Sequence, residues 1–559
     1  MYKLLIYTRK PIDNIYYDPR LAYSVHLAIS KDGEPYRALN HNSGVYFARS
    51  TENEDGSINP KCLKNPRVIR SNNSYLIISR RTDGEGLQDP ESSDSEVLIA
   101  STKDFISYDE TGLAATNSDY EALLAATPSV SESLIDGIIG AVPEYEIEIN
   151  DNIAKGLLTK LTTPVNTGVE VPAFIAVSER EELSNIRINA TYSDGSVAKK
   201  SIDWDLDGID FSVPGEHIIT GRVHRPHFDF PVLFDRADPC IGRWNGKYYF
   251  ISTNDADNNH TIYVRESNTL EGLLTAEDHL ILDSSTYPDV GGLLWAPEFH
   301  IIKGNLYIFH ACTPEPFFEE ESHIMELRKG GNPCNKDDWS RPLRVVRADG
   351  SDICERGKVI TLDMTEFEWN DDYYVIWSQR QFLPKDLGAW LMIARLNPDK
   401  PYMLASEPVV LSKPDYGWGN NHTFVEEGPF ALKRGNTLFV TFSAAAVDTS
   451  YVVGLLTLKP NGDPLNPSDW IKKGYPILTS RSVDGEFGTG HNAYVTDADG
   501  VVWNTYHARP GTSGPRSSGI RRVHFGIDGE PILDMTETDD VSDEFINIST
   551  RLIINKRYR

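Results

Sequence analysis

Short apolar runs filled with Tyr, Phe, Val and Ile alternate along most of the chain with Asn-Gly, Asp-Gly and Lys-Gly turns. The pattern predicts an all-β protein, because β-branched and aromatic residues suit a pleated surface and Gly or Asn suits a tight hairpin. A helical period is readable only over 118–139, and Pro128 interrupts it. Five segments, 238–252, 296–310, 363–377, 427–441 and 491–505, share one template: a small or acidic start, an apolar strand, a tight turn, then an aromatic-rich strand. Their second turn residues read as Gly246, Gly304, Asp371, Gly435 and Gly500, 58 to 67 residues apart. One supersecondary unit repeated at that spacing predicts a five-bladed β-propeller over 227–559. Residues 143–222 carry shorter strands and predict a small β-sandwich, with 114–142 as linker or helical connector. Residues 1–113 are β-rich, and 65–79 aligns without gaps on 238–252. That segment reads as a further blade-like unit, with Asn65 where Asp238 stands. An asparagine cannot act as a base, so the unit is expected to be non-catalytic.

Position within the template carries the chemistry. Eight residues before the second turn residue stand Asp238, Asp363 and Glu427. The other two repeats hold Ala296 and Asn492 there, preceded by Trp295 and His491. A residue at the start of a propeller's innermost strand lines one end of the central channel, so three such carboxylates are expected to meet in one pocket. Like charges resist joint ionisation, and a structural protein gains nothing from gathering them. Hydrolysis of a sugar acetal uses such an arrangement, one carboxylate activating water and a protonated one donating to the leaving oxygen. Pro239 and Gly428-Pro429 suit tight entry from a loop into an inner strand. Glu426 falls one position off the offset and is expected to point away. The reading from another class is a non-catalytic carbohydrate-binding propeller, which has no need of three clustered carboxylates.

Charge narrows the partners. Lys and Arg number 54 against 82 Asp and Glu, a formal charge of −28. Such a surface repels phosphate backbones and anionic lipid, so neither nucleic acid nor a membrane surface is an expected partner. No run reaches the roughly 18 apolar residues of a membrane span. The first ten residues do not read as a signal peptide. The expected location is cytoplasmic, and a secreted chain trimmed of its leader would look the same. Five cysteines, odd in number and without CxxC spacing, argue against a disulfide framework and a cysteine zinc site. Asp255-x-Asp257-x-Asn259…Glu266 has partial EF-hand spacing but lacks the glycine at position six and lies between predicted strands. No Gly-x-Ser-x-Gly elbow, P-loop or dinucleotide fingerprint is present.

The motifs Arg236-Ala-Asp238-Pro, Leu294-Trp-Ala-Pro-Glu298, Leu362-Asp363-Met-Thr-Glu-Phe-Glu, Val425-Glu-Glu427-Gly-Pro and Gly488-Thr-Gly-His491-Asn, in this order, resemble glycoside hydrolase family 43 across all five repeats. The resemblance implies a five-bladed propeller and an inverting mechanism, with Asp238 as general base, Asp363 as modulator of the acid's pKa and Glu427 as general acid. Within the family, the stretches from Asp363 to Ser378 and from Glu427 to Ser443 look more like α-L-arabinofuranosidases than β-xylosidases. The expected activity is release of terminal α-L-arabinofuranosyl units from arabinan- or arabinoxylan-type oligosaccharides; the alternatives are β-xylosidase and endo-arabinanase. The resemblance also places Trp295 as an apolar face for the sugar ring and His491 on the propeller axis. It puts a polar sugar contact in the last strand, at Arg521 or Arg522, with Arg522 the candidate. No cofactor is required, and a structural calcium or sodium ion near His491 is compatible with the family. Separately, Thr191-Tyr-Ser-Asp-Gly…Ile202-Asp-Trp…Pro214-Gly-Glu-His…Thr220-Gly resembles bacterial immunoglobulin-like modules.

Overall fold

The computed structural model describes residues 1–12, 17–126, 130–314 and 317–555. Pro128 lies outside the described residues. The chain divides into two compact units. One comprises Met1–Leu157 with Asp229–Ile520; the other comprises Leu158–Phe228 with the chain from Arg521 onward.

The first unit contains five four-stranded antiparallel sheets, the blades of the propeller. Blade 1 is Arg236–Trp244, Lys247–Asn254, Thr261–Ser267 and His279–Asp283. Blade 2 is Gly292–Ile302, Asn305–Thr313, Glu321–Glu326 and Leu343–Arg344. Blade 3 is Val359–Trp369, Asp372–Gln381, Gly388–Arg395 and Val409–Ser412. Blade 4 is Glu426–Arg434, Thr437–Ala444, Val452–Leu458 and Trp470–Lys472. Blade 5 is Phe487–Thr496, Val502–Arg509 and Ser517–Arg522, and its outer strand, Leu233–Phe234, comes from the start of the propeller. That exchange ties the two ends of the ring together. The five inner strands adjoin one another in cyclic order, blade 5 against blade 1. Apolar side chains fill the wedges between blades: Ile251, Val264, Leu294 and Ile308 between blades 1 and 2, Phe309, Val375 and Trp377 between blades 2 and 3. Each fully buried side chain of this kind contributes about 1.5–3 kcal/mol.

The hairpins explain one departure from the sequence reading. Asn245-Gly246, Lys303-Gly304 and Asn370-Asp371 have positive φ at both central residues, as a type I′ turn requires. In blade 4, Arg434 pairs with Thr437, so the central pair is Gly435-Asn436, and only Gly435 has positive φ. Glycine comes first in a II′ turn and second in I′. Reading Gly435 as the second turn residue therefore shifts the count by one. In blade 5, Thr496 pairs with Val502 around a longer turn, which shifts the count again.

The corrected alignment shows one backbone device repeated in every blade. Each inner strand has a register break, spanning Ala237/Cys240, Trp295/Glu298, Leu362/Thr365, Glu427/Phe430 and Gly490/Ala493. Inside each break one residue takes a left-handed φ between 44° and 54°: Asp238, Ala296, Asp363, Gly428 and His491. Asp238 and Asp363 are thus equivalent. Glu427 is not their equivalent; it sits one residue earlier, where blade 2 has Trp295.

The N-terminal part of the first unit holds a further four-stranded meander, Lys61–Ser71, Ser74–Asp83, Glu96–Thr102 and Asp109–Ala115. Its first strand breaks register between Lys64 and Arg67, with Asn65 at φ 54°. Helix Ser118–Ala125 is capped by the Asn117 side chain, and Leu124 packs against Ile78 and Val97. Arg67 donates to the carbonyls of Leu123, Leu124 and Ala126 and pairs with Glu144 at 2.7 Å. Strand Ala141–Ile149 pairs with Tyr2–Arg9, so it is not part of a sandwich beginning at 143.

The second unit is a two-sheet β module. Asn166–Glu170, Ile188–Tyr192 and Val197–Lys200 form one sheet. Phe174–Val177, Asn547–Ile554, Gly215–Val223 and Ile202–Asp205 form the other. The C-terminal strand lies parallel to Phe174–Val177 and antiparallel to Gly215–Val223. Its Leu552 and Ile554 are buried with Ile175, Val177 and Ile219. In place of the boundaries expected at 143–222 and 227–559, the β module takes 158–228 together with the chain from 521 onward, and the propeller's 229–520 shares a unit with 1–157, because an alternating strand far along the chain finds its buried face in the module. Among the described residues no helix is long and apolar enough to cross a membrane.

Candidate active site

A cavity of about 430 Å³ opens at the ends of the inner strands and is lined by Asp238, Trp295, Asp363, Glu427, His491 and Arg516, with Phe317 and Arg380 in its wall. The left-handed bulge is what delivers several of these side chains. It turns the backbone at Asp238, Asp363 and His491 out of the pleat at the point where the strand reaches the channel. Asp and Asn tolerate that conformation better than most residues, and a β-branched residue would be strained there.

The three carboxylates have different surroundings. Asp238 is buried, at 6% exposure. Thr253 Oγ1 donates to its Oδ2 at 2.6 Å. Three cationic or N–H groups converge on Oδ1: His507 Nδ1 at 3.0 Å, His491 Nδ1 at 3.2 Å and Arg516 Nη1 at 3.4 Å. Burial pushes its pKa up, but His491, Arg516 and His507 together outweigh burial and hold it well below the usual carboxylate range. Asp363 accepts from the Gly428 N–H at 2.9 Å. Burial, then the nearby Glu427 and Asp238 carboxylates, push its pKa up against the opposing pull of His491. Glu427 is likewise raised, first by burial, while Tyr451 and His491 pull the other way. Tyr451 Oη donates to Glu427 Oε1 at 2.7 Å. The site therefore holds one firmly ionised carboxylate beside a coupled pair that retains a proton.

His491 is fixed by its own N–H, which donates to Ser443 Oγ at 2.6 Å. Burial lowers its pKa, but Asp238, Asp363 and Glu427 raise it further, so the charged form is favoured. Its Nε2 is buried and has no hydrogen-bond partner among the described residues. Among those residues no group of three or more His, Cys, Asp or Glu is arranged to hold a metal. Trp295 meets Phe317 edge-on at 5.9 Å.

Arg522 does not line the cavity; it pairs with Asp540. Arg521 donates to the Leu533 carbonyl at 3.5 Å. The arginine brought to the site is Arg516, immediately before that strand, which also clamps Asp255 through Nε and Nη2 at 2.9 and 2.8 Å. Asp255, the first residue of the partial EF-hand pattern, thus belongs to an ion pair in a short 3₁₀ turn. Glu426 is engaged by Lys472 and does not line the cavity. Arg516, His507, Tyr451 and Thr253 escape a reading by inner-strand template, because they come from second strands and loops. The available signal was a buried polar residue in an otherwise apolar run, as with His507 between Tyr506 and Ala508.

A ring of five blades around a pocket with three carboxylates defines a class of carbohydrate-active propellers, and the comparisons give the family. The model of Glycosyl hydrolases family 43 matches residues 228–531. The chain belongs to that family. It is 32% identical over 307 residues to Alpha-L-arabinofuranosidase B of Pyricularia oryzae, covering 53% of this chain and 60% of that protein. It is 31% identical over 304 residues to an Extracellular exo-alpha-(1->5)-L-arabinofuranosidase of Streptomyces chartreusis, covering 53% of this chain and 87% of that one. Among solved structures, an alpha-L-arabinofuranosidase from Lactobacillus brevis is 28% identical with a TM-score of 0.48, over 54% of this chain and 94% of that one. The chain thus spans under two thirds of the length of the Pyricularia relative.

Proposed function

We propose that the chain is an inverting glycoside hydrolase that releases terminal α-L-arabinofuranosyl units from arabinan- or arabinoxylan-type oligosaccharides. The observation that carries this reading is the opposed protonation of carboxylates in one cavity: Asp238 held ionised, the Asp363–Glu427 pair holding a proton. Environments that push two carboxyl groups apart assign base and acid. In this scheme Asp238 takes a proton from water as its oxygen forms a bond to the anomeric carbon. The bond from that carbon to the glycosidic oxygen breaks, and Glu427 gives that oxygen its proton. Asp363, anchored by the Gly428 N–H, is the modulator in this scheme: it is itself raised by the Glu427 carboxylate, while burial and the Asp238 charge raise Glu427. Trp295 offers its face to the sugar, and Arg516, with Nη1 3.4 Å from Asp238 Oδ1, favours the charged form of the base. The sugar specificity rests on the arabinofuranosidase relatives.

The test is hydrolysis of an aryl α-L-arabinofuranoside against an aryl β-D-xyloside, with the product anomer followed by proton NMR. The reading expects the arabinoside to be preferred and the β-anomer of arabinose to appear first. Preference for the xyloside, or first appearance of the α-anomer, overturns it. Product sizes from linear arabinan separate this activity from an endo-arabinanase.

A further inference from the structure

We infer that Tyr451 and His507 are positioning residues that hold the acid and the base in one rigid assembly, and that Gly490 makes room for it. The inference rests on the hydrolase reading above and deepens it. The contacts form a continuous chain. Tyr451 Oη donates to Glu427 Oε1 at 2.7 Å. The Tyr451 ring stacks on His507, centroids 5.4 Å apart and planes 5° apart. His507 Nδ1 lies 3.0 Å from Asp238 Oδ1. Tyr451 and His507 are 0% and 1% exposed, so neither can exchange these partners for water.

The tautomer follows from burial. Burial brings the His507 pKa down to about 4, so the ring is neutral in the working range. Its Nε2 is buried with no partner among the described residues. Nδ1 faces two groups of Asp238, the carboxylate oxygen at 3.0 Å and the backbone N–H at 3.3 Å. The carboxylate is nearer and charged, and a bare Nε2 costs less to bury unpaired than an N–H, which places the ring proton on Nδ1, donating to the carboxylate.

Gly490 supplies the space. A Cβ there would lie 2.5 Å from Tyr451 Cε1 and 2.6 Å from Cδ1. Gly490 occupies in blade 5 the position that Glu427 occupies in blade 4. A side chain at that place would displace the ring that holds the acid. This accounts for the glycine before His491 in the Gly488-Thr-Gly-His491 motif, which the carboxylate chemistry leaves unexplained.

The two ends of the assembly have separable signatures. The Tyr451 hydroxyl favours charged Glu427, so Tyr451→Phe should move the alkaline limb of the kcat/KM profile to higher pH and leave the acid limb in place. The His507 N–H favours charged Asp238, so His507→Phe, which keeps a stacking ring, should move the acid limb to higher pH, with His507→Gln restoring part of the shift. Each limb is expected to move by about one unit. Tyr451→Phe should cut kcat/KM about 10- to 100-fold on an arabinose disaccharide, whose leaving group needs the acid. The loss on a dinitrophenyl arabinoside, which does not need it, should be far smaller. Equal losses on both substrates with neither limb moved overturn the inference while leaving the hydrolase reading intact. A wild type inactive on both substrates sinks the hydrolase reading instead. In either case ¹³C-carboxyl NMR, with the Glu427 signal assigned by its loss in Glu427→Gln, tests the assembly without turnover. A Glu427 titration that is the same in wild type and Tyr451→Phe also overturns it.

Discussion

The strand Lys61–Ser71 and the inner strand of blade 1, Arg236–Trp244, are built alike and do different things. Both open a four-stranded meander, break register after the fourth or second residue, and carry a left-handed residue in the break, Asn65 at φ 54° and Asp238 at φ 49°. Asn65 is exposed, whereas Asp238 is buried among Thr253, His491, His507 and Arg516. The bulge is a backbone device for turning one side chain off the end of an inner strand. It acquires chemistry only where a ring of other blades supplies partners. Asp238 receives its partners from blades 1 and 5 and the loop before the last strand, not from its own strand.

The contrast can be broken at several strengths. The largest effect is expected at the proposed base and acid: Asp238→Asn and Glu427→Gln should each lower kcat by about 10²–10⁴, measured on arabinose disaccharide, with circular dichroism unchanged. Next comes the bulge itself. A Cβ on Gly428 would lie 3.0 Å from His491 Nδ1, at a φ of +51° that disfavours any side chain. Gly428→Ala should therefore displace His491 from Asp238 and lower kcat about tenfold or more, with a crystal structure of the variant showing the imidazole moved.

The third effect is on stability, and its sign separates the two equivalent aspartates. Asp238, with a pKa lowered in the fold, contributes stability that is complete above the ordinary carboxylate range and is lost as pH falls through its depressed value. Asp363, with a raised pKa, costs stability as pH rises above its unfolded value. By differential scanning calorimetry at neutral pH, Asp238→Asn should lower Tm and Asp363→Asn should raise it, each by a few degrees. As pH falls, the Asp363→Asn gain should vanish between about 7 and about 4, whereas the Asp238→Asn loss should hold down to about 4 and shrink only below it. The smallest effect is Asn65→Asp: a change within about 0.5 kcal/mol in stability and none in kcat/KM, since the new carboxylate would face solvent. A gain of hydrolysis in Asn65→Asp combined with Asp238→Asn would contradict the argument that enclosure makes the site.

Much of the architecture was readable because it is local. Hairpins of about fifteen residues carry their own turn signals, and five of them at near-equal spacing leave few folds to choose from. The approximate placing of Asp238, Asp363 and Glu427 followed from the same repeat, although Gly435 hid a II′ turn and put Glu427 in the wrong equivalence. Arg522 failed for a related reason: a strand's sequence does not say which of its ends meets the channel, and Arg516 stands at the end that does. Strand Asn547–Ile554 showed a clean alternation of buried and exposed residues, but nothing in that pattern says that its apolar face packs more than 300 residues away.

The chain's own order of residues determined the all-β class, the five repeated hairpins, the acids carried on their inner strands and the membership of a hydrolase family, because periodicity and turn chemistry act within one hairpin. The tertiary structure decided the rest. Which carboxyl groups are raised and which is lowered, which arginine reaches the cavity, and which tyrosine and histidine touch Glu427 and Asp238 all depend on side chains brought together from different blades. Protonation is set by desolvation and by charges within a few ångströms, and those distances exist only after the ring has closed.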